Sequence, residues 1–62
     1  MMFEVGDLLW RTTDPMIGII TDNYAAGFLI KWYILANEHR KSKWGHVAYW
    51  SNKNIKNECI KL

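Results

Sequence analysis

Short apolar runs separated by polar turns fill the chain, and their spacing has the period of strands rather than of helices. A first strand is expected over roughly Val5 to Thr12, entered through a bend at Gly6-Asp7. The run Thr12-Thr13-Asp14-Pro15 reads as a turn, because proline presets φ while Asp and Thr bond to nearby backbone. A second strand follows from Met16 to Asp22. The segment Asp22 to Gly27 reads as a hairpin loop with Gly27 at positive φ. The third strand, Phe28 to Leu35, has the clearest alternation. After a polar loop from Asn37 to Lys43, a fourth strand covers Trp44 to Trp50. A helical turn spans Ser51 to Ile55, and a last strand runs from Glu58 to Leu62.

Alternation assigns faces. On the third strand Phe28, Ile30 and Trp32 share one side, while Leu29, Lys31 and Tyr33 share the other. Lys31 marks the outer side, so Phe28, Ile30 and Trp32 are expected in the core. On the fourth strand Val47 and Tyr49 oppose His46, Ala48 and Trp50, and Val47 and Tyr49 are assigned inward. Five short strands with tight turns and one helical turn before the last suit an all-β domain closed into a small barrel, which hides sheet edges.

Sixty-two residues make one domain, residues 1–62. A chain of this length buries only about 60% of its unfolded surface, so its core must be dense. Half the residues are hydrophobic and four are tryptophan, which supplies that density without a disulfide or a metal. The single cysteine, Cys59, excludes an intramolecular bridge and points to a reducing, cytoplasmic setting. The Met1-Met2-Phe3 start lacks the basic and apolar regions of a signal peptide. The longest mainly apolar stretch, Gly27 to Ala36, is far short of the ~20 residues of a membrane-spanning helix, so no membrane partner is expected. A net charge of +2 is too mild to imply nucleic acid by itself.

The residue types of enzymes are present, but not in an arrangement that chemistry requires. No nucleophile elbow, paired-carboxylate motif or phosphate-cradling glycine loop occurs. His39, His46 and Cys59 fall short of the four ligands at paired spacings of a structural zinc site. Neither catalysis, nor a metal, nor a cofactor is expected.

Three binding features remain, each with a plainer explanation beside it. Arg40, Lys41 and Lys43 next to Trp44 offer the pairing of cations and a stacking ring used by single-strand binders, with Arg11 and Lys31 as further cations. The plainer reading is a solvated loop. Leu8, Leu9, Trp10, Ile17, Ile19, Ile20, Leu29, Tyr33 and Leu35 make both strand faces apolar in places. That surplus reads either as a protein interface or as barrel strands bent enough to bury both sides. Trp10, Tyr24, Tyr33, Trp44 and Trp50 form an aromatic groove or cage, unless they only finish the core.

The order Val5-Gly6-Asp7-Leu8-Leu9-Trp10, Ile17-Gly18-Ile19-Ile20-Thr21 and Phe28-Leu29-Ile30-Lys31-Trp32 resembles the opening of many SH3-like barrels. It is similar to the Tudor, PWWP and KOW-type groups and to small barrel proteins of tailed phages. The resemblance covers about half the chain. It implies a five-stranded SH3-like fold and, on the phage side, an accessory protein in the bacterial cytoplasm. The aromatic-proline pair of PWWP domains and the acidic-Tyr-Gly turn of Tudor domains are missing, so methyl-lysine recognition does not carry over. The expected function is a non-enzymatic protein-interaction module contacting its partner, which includes a second copy of itself, through Trp10, Tyr24, Tyr33, Trp44 and Trp50. The alternative is a nucleic-acid binder using Arg40, Lys41, Lys43 and Trp44.

Overall fold

The computed structural model describes residues 3–14 and 16–62. Pro15, the expected pivot of the first turn, and the Met1-Met2 start lie outside them. Five strands and one helix follow in order: β1 (Leu8–Arg11), β2 (Met16–Tyr24), β3 (Gly27–Ile34), β4 (Lys43–Ser51), α1 (Asn52–Glu58) and β5 (Cys59–Lys61). All pairings are antiparallel, and the sheet order is β4-β3-β2-β1-β5. The all-β expectation and the helix before the last strand hold. The sheet is open: β4 and β5 lie at its two ends rather than closing on each other.

The Gly6-Asp7 bend forms as expected and delays the first strand to Leu8. Gly6 adopts φ 94°, a region that L side chains avoid. Its N–H donates to the Ile20 carbonyl at 2.8 Å, and the Ile20 N–H donates to the Asp7 carbonyl at 3.1 Å. The bend therefore starts the pairing of the amino-terminal segment with β2.

Gly27 corrects the expected loop. β2 continues to Tyr24, the turn is only Ala25-Ala26, and Gly6 is the positive-φ residue among those described. Glycine is needed at position 27 because the neighbouring strand comes close. A Cβ there would collide with the Trp50 carbonyl oxygen and sit 2.8 Å from the Tyr49 hydroxyl.

The buried set is Phe3, Leu9, Ile20, Phe28, Ile30, Trp32, Ile55 and Cys59, with Met16, Ala48 and Trp50 packed against it. Phe28, Ile30 and Trp32 are thus core, as their alternation predicts. Each such side chain contributes roughly 1.5–3 kcal/mol by leaving water. Ile55 is carried under the sheet by α1, which runs two turns instead of the one expected. Ser51 caps the helix, its hydroxyl oxygen accepting from the Asn54 N–H at 3.3 Å.

Val47 and Tyr49 are the second correction. Alternation assigns them inward, yet they are 48% and 52% exposed, while Ala48 and Trp50 face the core. The register explains it: Val47 pairs with Lys31 and Tyr49 with Leu29, which places both on the outer side that Lys31 marks.

Candidate interaction surface

Strand register turns the outer side of the sheet into rows of neighbouring side chains. One row crosses all five strands as Ile60, Trp10, Ile17, Tyr33 and Trp44. The next holds Leu8, Ile19, Lys31 and Val47, and a third runs Asp22, Leu29 and Tyr49, so a carboxylate borders the apolar residues there. At spacings of about 4.8 Å between strands and 6.8 Å between rows, the rows span roughly 19 by 14 Å. That footprint lies at the lower end of the largest apolar patches found on ordinary monomers, which are often functional.

The patch has internal order. Tyr33 and Trp44 meet edge to face with centroids 5.0 Å apart, and Tyr24 meets Tyr49 likewise at 6.2 Å. Lys31 Nζ lies 4.6 Å from the centre of the Trp44 ring. The indole face attracts this charge, which places one cation among the apolar residues of the rows. Trp44 remains 58% exposed.

Of the five aromatic residues predicted as contacts, Trp10, Tyr33 and Trp44 therefore share one row. Tyr24 stands near the hairpin end of the same side with Tyr49. Trp50 does not join them. It lies on the inner side, 5.2 Å from Trp32 between centroids, with the Arg11 guanidinium 5.0 Å above its ring. Ile17, Ile19 and Leu8 complete the rows, as the two-faced apolar pattern of β1 and β2 foretells. Val47, Tyr49 and Ile60 were missed, and only the register of the edge strands reveals them.

The basic cluster is spread out. Arg40 Nε donates to the Leu35 carbonyl at 3.2 Å, and Asn37 and Arg40 bridge to form a tight turn in which Asn37 Oδ1 accepts from the His39 N–H. Lys43 pairs with Ile34, one step from the Tyr33–Trp44 pair, so alternation sends Lys43 and Trp44 to opposite sides. Lys41 is exposed in the loop between Arg40 and Lys43.

The inner side also has an opening. Phe3 and Ile55 of α1 are buried in the core on this side. Beside them is a shallow cleft of about 190 Å³ lined by Arg11, Met16, Trp32, Trp50, Ala48 and His46, among others. Arg11 spans its rim, with Nη1 3.4 Å from Asp14 and Nη2 3.4 Å from Glu58. Cys59, beside it, is buried, and its thiol pKa is raised by that burial and further by Glu58, against an opposing pull from Arg11. Among the described residues no group of three or more His, Cys, Asp and Glu could hold a metal, and no helix is long and apolar enough to cross a membrane. No family model, no curated protein and no solved structure matches the chain.

Proposed function

We propose that this chain is a non-enzymatic protein-interaction module that binds through the outer side of its sheet. The row Ile60–Trp10–Ile17–Tyr33–Trp44 carries the reading. Each rigid ring or branched side chain there offers apolar area at small entropic cost, and tryptophan and tyrosine are favoured anchors of interfaces. The five antiparallel strands with a helix before the last are the elements that an SH3-like fold calls for, here in an open sheet. A phage accessory role in the bacterial cytoplasm is the finer part of that reading.

Salt separates this reading from nucleic-acid binding. Partner capture by the immobilised chain should be unchanged when salt is raised and should fail in Trp10→Ala. A nucleic-acid binder would instead retard a short single-stranded oligonucleotide at low salt and release it as salt rises. It would also weaken in Arg40→Ala and Lys41→Ala. Oligonucleotide binding of that kind, with capture indifferent to Trp10, would refute the interaction reading.

A further inference from the structure

The two edges of the sheet are built differently. β5 is three residues long and ends on Lys61, which is how proteins commonly keep an edge from pairing with other chains. β4 is nine residues long. Its first half is disrupted, because between the Tyr33–Trp44 and Lys31–Val47 pairs β4 has one residue more than β3. Its second half, Val47-Ala48-Tyr49-Trp50-Ser51, pairs in unbroken register with β3, from Lys31 to Gly27. That segment carries no charge and no proline, and Val47, Tyr49 and Trp50 within it have high β-propensity. On the side away from β3, alternate residues turn their N–H and C=O groups outward.

We infer that the second copy of this chain is the partner of this edge, docked by antiparallel pairing of Val47–Ser51 with itself about a two-fold axis at Tyr49. The inference rests on the protein-interaction reading and names one partner for it. An antiparallel pair of identical strands is self-complementary, which is the requirement of a two-fold dimer. A five-residue segment forms the most hydrogen bonds with itself when centred on its middle residue. Tyr49 then faces Tyr49 of the second copy on the outer side, and Val47 faces its Ser51. On the inner side the small Ala48 of each copy faces the large Trp50 of the other, at the rim of the cleft that both residues line. The two outer patches join into one continuous surface. One strand pair buries little area, so the dimer is weak, in the range of about micromolar or above.

Sedimentation equilibrium over a concentration series tests this. The wild-type mass should rise from 7.3 kDa toward twice that value. Tyr49→Lys and Tyr49→Asp, each alone, should weaken self-association by about tenfold or more, since like charges would face across the axis. Mixing the two should restore the dimer. Tyr49 is half-exposed, and far-UV circular dichroism checks that each variant keeps its sheet. As a second variant, Val47→Lys with Ser51→Asp in one chain keeps a helix-capping residue and should associate at least as tightly as wild type. A wild-type chain that stays monomeric overturns the inference, as does a Tyr49→Lys chain that associates like wild type. If the chain is monomeric yet captures a foreign protein through Trp10, only the edge pairing has failed. If the Tyr49 swap behaves as described while Trp10→Ala changes no capture, only the outer-side reading has failed.

Discussion

The indole of Trp32 lies over the bare backbone of Gly18, its register partner on the adjacent strand. A Cβ at Gly18 would stand 2.7 and 2.9 Å from two atoms of that ring and 2.6 Å from Ile30 Cγ2. The glycine in the middle strand of the sheet is thus the space into which the largest core side chain packs, and Trp32 is left only 3% exposed.

Gly18→Ala is therefore expected to destabilise the fold by about 1–3 kcal/mol, the usual cost of overfilling a packed core. Urea unfolding followed by tryptophan emission would measure it, with a red shift expected as Trp32 is displaced. An unchanged midpoint and an unchanged spectrum would show that Trp32 does not occupy the Gly18 position.

Arg11 poses a different balance. Its guanidinium lies over Trp50 and near Glu58, Asp14 and the Met16 sulfur, but its ionic contacts are long at 3.4 Å, and Nε is buried without a hydrogen-bond partner. The packing of its stem should outweigh the pairing of its charge. Arg11→Met should stay within about 1 kcal/mol of wild type, whereas Arg11→Ala should cost about 1–3 kcal/mol. Equal losses in both, measured by chemical denaturation, would assign the contribution to charge instead.

Cys59 links stability to alkaline pH. Because burial raises its pKa in the folded state, the native chain holds the thiol proton more tightly than the unfolded chain does. This contribution is fully present below the ordinary thiol value of 9.0 and is lost as pH rises through the raised native value. The stability gap between wild type and Cys59→Ala should therefore be constant near neutrality and narrow above about pH 9. A gap that widens with pH would mean the thiolate is the favoured native form. Native Cys59 should also alkylate with iodoacetamide more slowly than the unfolded chain at the same pH.

Much of this architecture is legible in the residues, and the failures have physical causes. β3 can be read because Lys31 breaks the apolar run on one side only, leaving Phe28, Ile30 and Trp32 as the buried set. The Gly6-Asp7 bend can be read because glycine and aspartate have few other uses there. β4 cannot be read from its alternation. Both of its sides carry rings, Tyr49 on one and Trp50 on the other, and the extra residue before Val47 shifts the phase set by Trp44. Gly27 misleads because its reason lies in Trp50 and Tyr49, more than twenty positions away in the chain. Closure of the sheet is set by how β4 and β5 end, which local pattern does not encode. The contact row is partly legible: Trp10, Tyr33 and Trp44 stand out as rings beyond the core set and Ile17 belongs to the two-faced apolar pattern of β2, whereas Ile60 joins the row only through the register of β5 with β1.

Ile17 occupies the centre of the five-residue row on the middle strand, so Ile17→Asp puts a charge in the proposed contact surface without touching the buried core. The decisive measurement compares stoichiometric co-purification of a protein partner by wild type and by this variant, with circular dichroism run on both. The account predicts a folded Ile17→Asp chain that no longer retains the partner. A folded variant that retains it as well as wild type does would contradict the assignment of this surface.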